Sequence, residues 1–444
     1  MQPENRTSRR RFLRAATAAV TASAIPSWFL DASPSRAAAS TPKSASPNDR
    51  PAVALIGCGG RGVGILREAV PFGKVVALCD VDESHVGKVK EEYPDAQTYH
   101  DFRAVMDRKD VDVVLCGTVD HWHTLVSIAA MRAGKDVYCE KPLTMTIDEG
   151  KRLIDVSRET KRVLQTGSQQ RSDARFRLVC ELVRNGRIGK LKSIDTVLPV
   201  GPREGPFHTS PVPKGLDWNL WLGPRPKVDY IKERCHFFFR YWLDYSGGTM
   251  TDWGAHHNDI ALWGMGLERG GPLTVEGKEL VEMVPDGYTT ASEYVVKYTY
   301  ANGVTHTCRS TAASDITGKA ADDKGRRHGV QFEGSDGWIF VTRGRAEASR
   351  PEFLTDPLPS GATKLYVSDD HMGNFFDCVR SRKQPICEPE IGHRSASVCH
   401  LGVIALRLGR KLKWNPVKEQ FVGDKEANTY LRRDPRGPWT YDSV

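Results

Sequence analysis

The chain has 444 residues, 39% apolar and 27% charged, which suits two or three folded domains and excludes a disordered or collagen-like protein. Its net charge is +8, and half of that comes from residues 1–39, where six arginines face only Glu4 and Asp31, so the remainder is too weakly basic to argue for nucleic acid. Ten cysteines show neither CxxC pairs nor Cys/His zinc spacing, so no metal centre is expected, and Cys58, Cys79, Cys116 and Cys139 read as small buried apolar residues.

The N-terminus reads as a leader. Ser8, Arg9, Arg10, Arg11, Phe12, Leu13 and Arg14 fit a twin-arginine export signal, an apolar stretch 15–30 follows, and Ala37, Ala38 and Ala39 suit a signal peptidase. A disordered basic terminus or an uncleaved anchor are the alternatives. The apolar stretch is short and rich in Ala, Ser and Thr for a bilayer span of ~20 residues, and nothing later is long and apolar enough to cross a membrane. Residues 40–50 form a Ser/Pro linker. An exported, periplasmic location is expected, with the twin-arginine machinery as a partner.

An apolar run at 53–56 predicts a buried parallel strand. Gly57, Gly59 and Gly62 then match G-x-G-x-x-G, with Gly60 and Arg61 inside the turn and a helix expected over 64–69. The first glycine permits a tight turn, the second lets backbone approach a pyrophosphate, and the third lets helix and strand pack closely. A second strand, 74–79, ends in Asp80 at the spacing of a carboxylate that accepts hydrogen bonds from both ribose hydroxyls, favouring NAD over NADP. A third run, 111–117, leads into Thr118, His121 and His123, then a helix over 124–133 and a strand over 136–139. This alternation predicts a doubly wound sheet with ligands at the strand carboxyl ends. Two histidines two apart suit a metal, but with no third ligand evident the preferred reading is a loop packed along the cofactor. Glu140 and Lys141 stand at the next strand end, where the lysine is a phosphate clamp, a surface charge or a proton-transfer group.

Residues 147–160 read as a helix and 163–167 as a short strand. Gln169 and Arg171 follow in a loop, as sugar ligands or as surface polarity. A new sheet starts at 191–200. Hairpins are expected at 291–310 about Asn302 and Gly303, and at 330–342. Aromatic residues crowd 201–246, together with Arg240, Tyr241 and Tyr245, as a sugar-binding wall or as a loop packed over the sheet. In GGTMTDWGAHHND, Asp252 and His256 are four apart, on one face of a helix, as an acid/base pair or as an N-cap and a packed histidine. The neighbouring His257 contacts substrate or faces the core.

The stretches AVALIGCGGRG, DVVLCGTVDHWHTLVSIAAMRAGKDVYCEKPL and GGTMTDWGAHHNDIALW resemble the glucose–fructose oxidoreductase / inositol dehydrogenase / rhizopine-catabolism (Gfo/Idh/MocA) family over residues ~52 to 444. WLGP, YWLDYSGG and the tail DKEANTYLRRDPRGPW resemble its exported subgroup. The resemblance implies a Rossmann domain at 51–165, a C-terminal α/β domain with a large, mostly antiparallel open sheet at 166–414, and a tail, 415–444, packed on the body. It implies a homo-oligomer, and hydride transfer between NAD and a carbohydrate or cyclitol, with Lys141, Asp252 and His256 as the catalytic set. A trapped, recycled cofactor follows from export. Sugar oxidoreduction, redox-neutral glycoside cleavage and a noncatalytic carbohydrate-binding module all remain open on the sequence.

Overall fold

A computed structural model describes residues 20–22, 25–31, 50–310 and 328–442. The arginine motif, Ala37–Ala39 and residues 40–49 lie outside them. Val20–Ala22 (β1) and the helix Ser27–Asp31 come first. The Rossmann strands follow: Ala52–Ile56 (β2), Lys74–Cys79 (β3), Gln97–Tyr99 (β4), Val113–Cys116 (β5), Asp136–Cys139 (β6) and Leu164–Thr166 (β7). They form one parallel sheet ordered β4-β3-β2-β5-β6-β7. The central strands carry unbroken buried apolar runs because helices cover both faces.

The second sheet is built from Leu191–Leu198 (β8), Thr274–Glu279 (β9), Tyr294–Thr299 (β10), Thr305–Ser310 (β11), Gly329–Gly334 (β12), Trp338–Thr342 (β13), Arg345–Ala348 (β14), Leu412–Asn415 (β15) and Gln420–Phe421 (β16). With β1 it has ten strands, ordered β1-β14-β13-β12-β8-β11-β10-β9-β15-β16. Both expected hairpins form, and among the described strands of this sheet the β8–β11 pair is parallel while the rest are antiparallel.

Three boundaries differ from the sequence reading. The glycine-turn helix begins at Gly60, and the helix expected from 124 begins at Asp120, whose carboxylate in the first turn suits the positive end of a helix. The second sheet runs past 414, because β15 and β16 add two strands before the tail turns back. Part of the segment read as a leader is also placed in the fold: β1 pairs with β14, and Phe29 is buried beneath the guanidinium of Arg177. The tail packs on the body. Trp439 is buried against Phe102 and Trp122, and the Tyr441 hydroxyl donates to Glu149 at 2.9 Å. No described helix is long and apolar enough to cross a membrane.

Candidate active site

Two joined cavities lie at the carboxyl ends of the Rossmann strands. The first, about 340 Å³, runs from Asp80 past the glycine turn to Thr118 and Arg240. Gly57 has φ +92°, and a Cβ there would sit 2.7 Å from the Gly117 carbonyl. A Cβ on Gly62 would come within 1.8 Å of the Gly57 oxygen, so this glycine lets the helix touch the strand turn. Gly59 and Gly60 face open space instead: the nearest atoms to a Cβ on Gly59 are 3.9 Å away, and Gly60 has none within 4 Å. The free N–H groups at the start of the helix Gly60–Ala69 meet this space, which fits a dinucleotide pyrophosphate. Asp80 accepts from the Cys58 N–H at 2.6 Å and the Asp82 N–H at 2.9 Å, which fixes its carboxylate at the end of β3, on the lining of the first cavity.

The second cavity, about 550 Å³, adjoins the first through Arg61, Thr118, Phe239 and Arg240. Lys141, Asp252 and His256 all line it. The Lys141 ammonium bonds the Asp252 carboxylate and, at 3.2 Å, the Asp252 carbonyl oxygen. Burial works to raise the Asp252 carboxyl, but Lys141 and Arg240 beside it hold it below the usual carboxylate range. Burial, with Lys141 and Arg343 nearby, pushes His256 well below the usual histidine value, so the ring is neutral at neutral pH, and its Nδ1 is buried with no partner among the described residues. The expected Asp252–His256 hydrogen bond does not form. Trp253 separates the short helix Thr249–Asp252 from the helix Gly254–Met265, and the His256 N–H donates to the Trp253 carbonyl at 3.1 Å. The carboxylate orients the lysine instead.

Glu140 organises the opposite wall. It accepts from Arg61 Nε at 2.7 Å and Gln169 Nε2 at 3.0 Å, and Gln169 lines the cavity. Arg240 stands over Phe237 and Phe239 with its Nε 3.7 Å from Asp252.

Five expected contacts lie elsewhere. His121 and His123 sit on a helix, where positions two apart diverge. His123 lines the second cavity, but His121 turns away, meets the Trp221 carbonyl at 2.9 Å and is pushed down to about 3 by burial. The two do not form a metal pair. Arg171 makes a bidentate pair with Asp259 at 2.7 Å for both bonds and is 2% exposed, too deep to meet a ligand. Tyr245 is buried against Trp221 and His121, and Tyr241 packs on Tyr288 outside the cavity lining. His257 is fully buried, stacked on Trp253 with its Nε2 3.2 Å from His328. Trp218, Trp221, Tyr230, Trp242 and Tyr245 form a cluster of their own, so most of the aromatic segment is packed loop. All ten cysteines are buried and free.

Sequence reasoning missed Asp120, Gln170, Trp253 and Arg343 as cavity residues. Asp120 accepts from the Ser246 hydroxyl at 2.5 Å, and burial raises its carboxyl despite nearby His123. Gln170 stands beside the noted Gln169, but Arg343 arrives on the β13–β14 turn, which no local pattern marks.

This geometry is that of a two-domain protein with a dinucleotide-binding half. Residues 52–168 match the NAD-binding Rossmann domain of the Gfo/Idh/MocA oxidoreductases, and residues 203–441 match their C-terminal alpha/beta domain. The chain belongs to that family. It is 28% identical over 221 residues to a myo-inositol 2-dehydrogenase of Thermotoga maritima, covering 50% of this chain and 53% of the relative. It is 31% identical over 206 residues to a glycosyl hydrolase family 109 protein of Shewanella sp. strain ANA-3, covering 41% and 44%. The matched stretches thus span about half or less of these curated relatives. Among solved structures, an aldose–aldose oxidoreductase from Caulobacter crescentus, complexed with glycerol, shares the fold at a TM-score of 0.59 and 20% identity, covering 82% of this chain and 99% of that one.

Proposed function

We propose that the protein is an exported oxidoreductase that keeps its own NAD and moves hydride between that cofactor and a carbinol carbon of a carbohydrate or cyclitol. The observation that carries this reading is the Lys141–Asp252–His256 group lining the second cavity, which opens onto the cleft of the glycine turn. Bound NAD supplies a hydride acceptor. Lys141, held by Asp252, donates a hydrogen bond to the substrate oxygen and stabilises developing alkoxide charge. Neutral His256 takes the hydroxyl proton and returns it in the reverse direction. The names of the dehydrogenase and aldose–aldose oxidoreductase relatives support this class.

Export and cofactor retention rest on the Ser8–Arg14 motif: a twin-arginine substrate crosses folded, and its cofactor is then regenerated in place by a second substrate. A second reading, redox-neutral glycoside cleavage, draws support from the family 109 relatives and from Asp120, a cavity carboxyl raised by burial that hydride transfer leaves unused. In that route oxidation acidifies the neighbouring C–H, its proton and the glycosidic alcohol are lost by elimination, water adds to the resulting unsaturated ketone, and the ketone is reduced again.

The test is to purify the protein, measure bound NAD by absorbance and mass, and incubate it with glycosides and free sugars without added cofactor. Oxidation of one sugar matched by reduction of another supports the oxidoreductase. Cleavage without net NADH supports the glycosidase. A protein that neither carries nor binds NAD would be a noncatalytic module.

A further inference from the structure

Two groups of potential metal ligands lie outside the Lys141 centre among the described residues: Cys116, His123 and Cys139, and Asp82, His85 and His236. The first fails on its histidine. Both His123 ring nitrogens already face backbone carbonyls, Pro142 at 2.8 Å and Thr118 at 3.3 Å, so neither offers a free lone pair. The second has no such conflict. Asp82 caps the helix Glu83–Glu92 with Oδ1, which accepts from the Ser84 N–H at 2.8 Å. That leaves Oδ2, which lies 3.1 Å from His236 Nε2, a separation two ligands of one tetrahedral ion adopt. The His85 ring lies 4.4 Å from the His236 ring, centroid to centroid. One donor atom from each of the three residues lies within 4.8 Å of the others. His85 Nδ1 is 3.6 Å from an Asp80 oxygen, so a second carboxylate adds negative charge beside the group without hydrogen-bonding the ring.

The three residues come from both halves of the molecule. Asp82 and His85 follow β3, while His236 opens the short helical turn His236–Tyr241 of the substrate domain. The two halves already touch beside these residues: the Glu83 N–H donates to the Gly215 carbonyl and the Asp217 N–H to the Val81 carbonyl, both at 2.9 Å. His236 has φ +48°, a left-handed conformation that a non-glycine residue holds only at a cost and that here aims the ring across the seam. His85 and His236 also line the cofactor cleft beside Asp80, which gives an ion a path in from solvent. Two imidazoles and one carboxylate suit a borderline divalent cation, with a fourth position open to the cleft.

We propose that Asp82, His85 and His236 bind zinc and staple the two domains together at the ribose end of the cofactor cleft. The reading of the cleft as an NAD site supplies only the location, since ion binding needs no turnover. To test this, the full chain carrying its NAD is stripped with a chelator, desalted, and titrated with Zn²⁺ by calorimetry and with Co²⁺ by visible absorption. The expected result is one ion per chain, with affinity about tenfold or more weaker in both H85Q and H236Q, and Co²⁺ bands of a nitrogen/oxygen set. D82N serves as the third variant if either histidine replacement fails to fold by circular dichroism. The absence of stoichiometric binding, unchanged affinity in the variants, or an intense thiolate absorption lost in C116S would each overturn the proposal. A chain that binds zinc at these residues yet never holds NAD would instead sink the cofactor reading and leave the metal site standing.

Discussion

Lys141 and His256 differ in what holds them, and that difference predicts distinct variants. Lys141 is fixed by Asp252, whereas the buried His256 Nδ1 has no hydrogen-bond partner among the described residues. Lys141→Met and His256→Gln should each lower kcat/KM by roughly 10²–10⁴-fold while NAD stays bound, measured by turnover beside cofactor mass. Turnover near wild type in both would remove the assignment. The pH profile follows from burial. His256 is held below its ordinary value, so its neutral, competent form persists as pH falls past about 6.5, and the acid limb lies lower still. Asp252, also depressed, keeps its charge over the same range. Arg171 is the opposite case: a sequence-level sugar ligand that the structure spends on Asp259, inside the helix carrying His256. Removing one partner of a buried ion pair leaves the other uncompensated, so Arg171→Met should cost about 3–5 kcal/mol in urea unfolding. KM of the surviving enzyme should not change; a selective rise in KM with unchanged stability would restore the ligand reading.

The glycine turn, as an element, separates binding from packing. A methyl on Gly62 strikes the Gly57 oxygen, whereas one on Gly59, at φ −74°, meets nothing closer than 3.9 Å. Gly62→Ala should therefore lower stability by about 1–3 kcal/mol. Gly59→Ala should leave the melting temperature unchanged yet weaken NAD binding, because its methyl occupies the approach to the pyrophosphate. Thermal melts paired with NAD titrations check both, and equal behaviour of the two variants would contradict the division. The same element shows why this half of the fold was legible: strand, glycines and Asp80 lie close in sequence, and each has a local physical reason. The substrate cavity is assembled otherwise. Asp120 comes from the start of a Rossmann helix, Gln170 from the segment after β7 and Arg343 from the β13–β14 turn, so only the packed sheets bring them together. The Asp252–His256 spacing reads as one face of one helix, but Trp253 between two helices and the nearness of Lys141 redirect the carboxylate, and neither effect is visible in a four-residue interval.

Across the whole molecule, histidines buried in both halves make the folded state sensitive to acid. His121 is held down to about 3 in the Rossmann half, His306 to about 3 in the large sheet, and His371 and His400 to about 4 on the helices between them, each chiefly by burial. All four are nearly or fully buried. In the unfolded chain each takes up a proton near pH 6.5, while in the folded chain it does not until pH 3–4. Below about pH 6.5 the unfolded state therefore binds more protons, and stability falls as pH falls, by up to about 1.4 kcal/mol per group per pH unit. Above pH 6.5 both states are neutral at these positions and the effect vanishes. Four such groups acting together amount to several kcal/mol by about pH 5, a large share of the roughly 5–15 kcal/mol that holds an ordinary domain folded. The protein should thus show a constant urea midpoint from pH 8 to 7 and a steep decline between pH 6 and 4.5. His306→Gln should soften that decline, because Thr196 then meets an amide that carries no titrating proton in place of the ring it now contacts at 2.8 Å. A midpoint that stays flat down to pH 5 would mean that these histidines gain protons without unfolding the chain, and that the core opens to water at mild acidity.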